Sequence, residues 1–177
     1  MSSKKIAAGE QFPAIEVVKA GGEPITLGVP QGGADWQMVV VYRGKHCPLC
    51  TRYLNELEKL KAEFFKLGID IVAVSADSEA QLTAHMPELT ASYPIAYGLS
   101  IAQMQQLGLY ISHPRSEQET DHPFAEPGLY VINDNGQVQV LDMSNGPFAR
   151  PELGILLSGL AFIRNPANNY PIRGTYS

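Results

Sequence analysis

Two apolar runs without polar alternation, Trp36 to Tyr42 and Ile69 to Ser75, bracket a segment whose apolar residues recur at helical spacing. This strand–helix–strand rhythm constrains the fold more than any other feature of the chain. Leu54, Leu57, Leu60, Phe64 and Leu67 fall on one face of the segment, and Arg52, Asn55, Glu56, Lys59 and Glu63 on the other. Gly68 then stops it as a left-handed cap. Strands that are apolar throughout are buried on both faces, so two of them joined by a helix predict a parallel crossover in an α/β fold.

The flanking segments fit the same class. Phe12 to Val18 and Pro24 to Leu27 read as a hairpin turning at Gly21-Gly22, placed to cap one edge of the sheet. A helix opens at Asp77-Ser78-Glu79 and runs toward Thr90, Tyr93 to Tyr97 is a short strand, and Ser100 to Gly108 is a short helix with a serine N-cap. Leu129 to Ile132 and Val138 to Leu141 flank Asn133-Asp134-Asn135-Gly136, a strong hairpin signal. A last helix spans Glu152 to Ile163 after Pro151. Ser112 to Glu126, with His113-Pro114 and His122-Pro123 among charged residues, has no pattern and reads as a solvated, flexible loop.

With 177 residues and 45% hydrophobic content, one domain spanning 1–177 is expected. The net charge of -5 is mild and the charges are interspersed, which gives no footprint for nucleic acid or an acidic membrane surface. Met1 to Glu10 lack the apolar stretch of a signal peptide and no run approaches a membrane span, so a cytoplasmic protein is expected.

The only two cysteines, Cys47 and Cys50, lie between the first apolar strand and the amphipathic helix. At a helix N-terminus a thiol meets unsatisfied N–H groups and the positive end of the helix dipole, and both favour the thiolate. Lys45, His46 and Arg43 add positive charge beside Cys47, which is therefore expected to be the nucleophile. Pro48 at the first helical position pre-sets the helix. Cys50, one turn further in, is placed to resolve a mixed disulfide on Cys47.

Two other readings compete. A zinc site built on the pair needs two more ligands, to be found among His46, His85, His113 and His122, and no second cysteine pair exists. A non-catalytic binding protein that uses the pair as a redox switch or metal clasp is the alternative to an enzyme. Trp36, Tyr42 and Tyr53 read as packing, His46 as either a modulator of Cys47 or an exposed ring. His113 and His122 with Glu119 and Asp121 match no metal-ligand spacing. Tyr170, Arg173 and Tyr176 form a C-terminal arm packed on its own domain or on a second copy, which fits a homodimer contact.

Several segments carry a resemblance: Ala8 to Pro13, Tyr42 to Cys50, Val72 to Asp77 and Pro127 to Gly136. Together they resemble the alkyl hydroperoxide reductase and thiol-specific antioxidant family, in its peroxiredoxin-like branch with an Arg-Gly-x-x-Cys-Pro-x-Cys motif. The resemblance implies a thioredoxin-like fold, a central mixed sheet flanked by helices with an N-terminal β-hairpin extension. It also implies that Cys47 attacks and Cys50 resolves, with disulfide or peroxide as substrate, a thioredoxin- or glutaredoxin-type reductant, and no bound cofactor or metal. Pro127 falls where such folds place a cis-proline facing the cysteines, leaving the neighbouring backbone free to pair with a substrate chain. Typical members carry a threonine three residues before the attacking cysteine and a proline four before that; here these are Gly44 and Val40. The second arginine of such sites is replaced by Pro127, leaving Arg43 and Arg150 as the available guanidinium groups. Thiol–disulfide exchange, which needs fewer fixed donors than peroxide reduction, is ranked slightly ahead.

Overall fold

The computed structural model describes residues 4–177; Met1, Ser2 and Ser3, part of the stretch searched for a leader, lie outside the described residues. Strand β1 (Ile15–Lys19) turns back through Gly21 and Gly22 into β2 (Pro24–Leu27). Strand β3 (Trp36–Val41), helix α1 (Pro48–Lys66) and β4 (Ile69–Val74) form the expected crossover. They are followed by α2 (Glu79–His85), a 3₁₀ turn at Met86–Glu88, β5 (Ile95–Tyr97) and α3 (Ile101–Gln106). Next come the two-residue strands β6 (Ile111–Ser112) and β7 (Phe124–Ala125), the hairpin β8 (Gly128–Ile132) and β9 (Val138–Met143), and α4 (Leu153–Arg164).

Seven strands form one sheet in the order β2-β1-β5-β4-β3-β8-β9, while β6 and β7 pair separately. β3 runs parallel to β4 with Val39 opposite Val72, and antiparallel to β8 with Val39 opposite Tyr130. The hairpin of β1 and β2 covers one edge, as the sequence predicts, and β1 bonds to β5.

All six residues of β3 are buried because both faces are covered. Met38, Val40 and Tyr42 pack with Leu54, Leu57 and Phe64 of α1 and Leu153 and Leu160 of α4. Val39 and Val41 point the other way, into a second core with Met104, Leu107 and Tyr130. Each fully buried leucine or phenylalanine contributes roughly 1.5–3 kcal/mol. α1 ends as expected, with Gly68 following its C-cap Leu67 at φ +78°. No described helix is long and apolar enough to cross a membrane.

The segment between Ser112 and Glu126 departs from the solvated loop that its polar sequence suggests. Its ends are tied by the β6–β7 pairing, Thr120, Phe124 and Glu126 are buried, and Gln81 of α2 donates to Asp121 at 2.9 Å. These partners are distant in sequence, so local polarity did not report them. Trp36 is buried at the start of β3, the end away from the cysteines, where the Arg164 guanidinium stacks 4.4 Å from its ring. Tyr170 and Phe162 meet edge to face at 5.7 Å, which lays the C-terminal arm on α4 of its own chain.

Candidate active site

Cys47 occupies the N-cap of α1, with extended backbone angles (φ -114°, ψ 98°), and its Sγ accepts the Cys50 N–H at 3.2 Å. A sulfur in this position takes up one of the orphan donors of the first turn, an interaction that strengthens when it carries charge. Pro48 follows at the first helical position. Cys50 lies directly below, with no exposed surface, and Cys47 itself is only 2% exposed. Neither is in a disulfide.

The two thiols are driven apart in acidity. Cys47 is lowered to about 6, first by the hydrogen bond from the Cys50 side chain, then by the Cys50 N–H and the guanidinium groups of Arg43 and Arg150, with burial opposing. Cys50 is pushed up, first by burial and then by its role as donor to Cys47. The arrangement favours a single negative charge on the pair, placed on Cys47.

Arg43 is aimed from behind. Its Nε lies 3.0 Å from Glu126 Oε1, in a pair where both side chains are largely buried, and Ser112 donates to the other oxygen of Glu126 at 2.6 Å. Arg150 reaches over from the loop between β9 and α4. Its Nη2 is 2.7 Å from Cys50 Sγ and 4.0 Å from Cys47 Sγ, its guanidinium sits 5.0 Å from the Tyr53 ring, and Tyr53 donates to Pro151 O at 2.8 Å.

The backbone leading to Cys47 is held by Asp77, just past the end of β4 and 1% exposed. Its Oδ2 accepts the backbone N–H of Lys45 at 2.8 Å, and its Oδ1 lies 3.2 Å from His122 Nε2. Gly44 passes tightly against it at φ +139°, where a Cβ would stand 2.6 Å from Oδ1. Beyond Lys45 and His46, a polar chamber of about 690 Å³ opens between α2 and the Arg115–Asp121 segment.

Two of the charges expected beside Cys47 are placed differently from Arg43 and Arg150. Lys45 meets Asp77 through its backbone while its side chain is exposed, and it is not among the groups that lower Cys47. His46 is half-buried against Phe124, ring centres 4.5 Å apart, and burial followed by Arg43 lowers its pKa, which favours a neutral ring. Pro127 is a further correction: no described peptide bond is cis. The flanking backbone is already engaged, since Glu126 N–H donates to Tyr110 O at 2.8 Å and Pro127 O accepts from Ser144 N–H at 3.1 Å. A substrate chain therefore finds these two groups occupied.

A family model described as Redoxin matches residues 7–153. The chain belongs to the Redoxin family. This redoxin is 28% identical over 132 residues to the thiol-disulfide oxidoreductase ResA of Halalkalibacterium halodurans, covering 74% of the chain and 65% of that protein. It is 26% identical over 153 residues to peroxiredoxin 2 of Sulfurisphaera tokodaii, covering 80% and 66%. The chain thus spans just under two thirds of the length of these curated relatives. Among solved structures, Mycobacterium bovis AhpC superposes with a TM-score of 0.74 at 17% identity, covering 98% of this chain and 99% of that one. The redoxin has a peroxiredoxin-like thioredoxin fold.

Two residues around the cysteines are not marked as site components by the sequence alone: Asp77 stands there only as a helix-start signal and Glu126 as the end of a loop. Arg150 is marked as an available guanidinium, and the structure adds that it reaches Cys50. The two histidines of the long loop part company: His122 turns to Asp77 and Gln81, while His113 is exposed. Among the described residues no three His, Cys, Asp or Glu side chains converge as a metal site would need.

Proposed function

We propose that this redoxin is a dithiol–disulfide oxidoreductase in which Cys47 attacks and Cys50 resolves. One observation carries the reading: Cys47 at the N-cap of α1, its Sγ accepting the Cys50 N–H, with a fully buried Cys50 one turn further in, an arrangement that lowers the Cys47 thiol and raises that of Cys50. Cys47 thiolate attacks one sulfur of a disulfide, the substrate S–S bond breaks, and one substrate thiolate leaves. Cys50 then loses its proton and attacks Cys47 Sγ, forming the Cys47–Cys50 disulfide and releasing the second thiolate. A thioredoxin- or glutaredoxin-type dithiol returns the pair to the reduced state. Because Cys47 is 2% exposed, the surrounding loops must move for a substrate sulfur to approach in line.

Peroxide reduction is the second reading, favoured by the two guanidinium groups that face Cys47. Gly44 weighs against it. The position where a hydroxyl would bind and polarise a peroxide is a glycine at φ +139°, and a carboxylate oxygen occupies the space a side chain would need. An anion there disfavours the hydroxide that leaves when a thiolate attacks a peroxide.

Cys47→Ser is expected to abolish turnover with both disulfide and peroxide; retained activity would overturn the assignment. Stopped-flow rates with a model disulfide, hydrogen peroxide and an organic peroxide rank the substrates. A faster reaction with either peroxide would make peroxide reduction the first reading.

A further inference from the structure

Arg43, Arg115 and Arg164 each pair with a carboxylate, whereas Arg150, like Arg52 and Arg173, pairs with none among the described residues. Its Nη2 is instead on sulfur, and on the deeper sulfur: 2.7 Å to Cys50 against 4.0 Å to Cys47. The stack on Tyr53 and the Tyr53–Pro151 hydrogen bond hold it there.

We propose that Arg150 is a catalytic residue of the resolving half-reaction, stabilising the Cys50 thiolate at the moment Cys47 is tied up in a mixed disulfide. The proposal rests on the assignment of Cys47 as attacker and Cys50 as resolver. In the reduced pair, burial and the neighbouring Cys47 sulfur, which acts as acceptor and repels a second negative charge, push the Cys50 thiol up and favour its protonated form. Once Cys47 is bonded to a substrate sulfur, that acceptor and that charge are gone. Cys50 is then a buried thiol whose nearest charge is a guanidinium at 2.7 Å with no carboxylate partner. The same cation lies near both sulfurs, closer to Cys50 than to Cys47.

In the resolving step Cys50 releases its proton to solvent, and its electron pair forms a bond to Cys47 Sγ. The bond between Cys47 and the substrate sulfur breaks, and the substrate departs as a thiolate, reduced by two electrons in total while the cysteine pair is oxidised by two. Arg43, held by Glu126, acts on Cys47 in the first attack. Arg150 is a minor contributor there, being farther from Cys47, and makes its main contribution to the second step, at Cys50.

Ellman's reagent reads the two steps separately, since attack by Cys47 releases one thionitrobenzoate and resolution by Cys50 releases a second. With Arg150→Met, the second phase is expected to slow about ten- to a hundredfold, as for loss of a hydrogen bond to a charged group, while the first changes by less than about threefold. The pH midpoint of the second phase should rise. Arg150→Lys, which keeps the charge but loses the fork geometry, should recover part of the rate. Equal slowing of both phases, or an unchanged second phase, would overturn the proposal alone. The cysteine assignment has its own controls: Cys50→Ser should keep the first phase and lose the second, and Cys47→Ser should lose both. A Cys47→Ser protein that keeps the first phase would overturn that assignment, and the role of Arg150 with it.

Discussion

Gly44 and Asp77 are packed so closely that the backbone before the nucleophile exists only without a side chain. A Cβ on Gly44 would lie 2.6 Å from Asp77 Oδ1, at a φ of +139° that L-residues rarely adopt. Gly44→Ala and Gly44→Thr are therefore expected to destabilise the fold by about 1–3 kcal/mol, through strain and displacement of the carboxylate. Urea denaturation of the reduced protein checks this. Gly44→Thr with unchanged stability and a gain in peroxide rate would show that the glycine is dispensable.

The ionisation of Cys47 sets the pH dependence of its reactivity. With the thiol lowered to about 6 from an ordinary 9.0, its alkylation by iodoacetamide should rise through a midpoint near pH 6 and level off above it. The same shift links to stability. The depressed pKa contributes stability that is fully present above the unfolded value of 9.0 and lost as pH falls through about 6. A midpoint near 9 would show that Cys50 and the two arginines do not act on this sulfur.

Glu126 is the counter-charge that aims Arg43, with side-chain exposures of 5% and 17% respectively. Removing one partner of a largely buried pair leaves the other uncompensated, so Glu126→Ala is expected to cost roughly 3 kcal/mol. Freed from its carboxylate, Arg43 should lose its fixed position, and the midpoint for Cys47 alkylation should move up. Thermal unfolding and the alkylation profile of the same variant test the two effects together.

His85 is buried beneath α1, its Nε2 2.8 Å from the Thr51 hydroxyl, and burial lowers its pKa from 6.5. A lowered folded-state value means the unfolded chain takes up the proton first. The stability due to neutral His85 is present above 6.5 and lost as pH falls below it. His85→Gln should therefore show a shallower loss of stability on acidification than the parent, measured by denaturation between the mildly acidic and neutral range. Parallel curves would remove His85 from the acid response.

Tyr53 fixes the loop that carries Arg150, through its hydroxyl on Pro151 O at 2.8 Å. Tyr53→Phe keeps the ring under the guanidinium and deletes that hydrogen bond, at an expected cost of about 1 kcal/mol. Its effect on the release of the second thionitrobenzoate should exceed its effect on the first. Equal effects would indicate that the loop does not depend on this bond.

The local and periodic features were legible in the chain itself. Apolar runs at Trp36–Tyr42 and Ile69–Ser75 identify the two central strands, because burial on both faces removes polar alternation. The serine N-caps at Ser78 and Ser100, the glycine after α1 and the Asn/Gly turn before β9 mark their elements through short-range hydrogen bonds and backbone freedom. The placement of Cys47 at a helix N-terminus follows from the same patterns, and with it the direction of its ionisation.

Charge, by contrast, had to be paired in space before its role could be assigned. Nearness in sequence favoured Lys45 and His46 as activators, yet one side chain is exposed and the other packs against Phe124 with its pKa lowered by burial. The cations that act on the sulfurs are Arg43, aimed by the sequence-distant Glu126, and Arg150, from 100 residues beyond Cys50. Strand order and loop closure bring these groups together, and no window of sequence contains both ends of such a contact. The chain alone determined which atoms can be oxidised and on what kind of scaffold. Tertiary structure decided which charges face them, because Coulomb interactions depend on distance through space and on burial rather than on position in the chain.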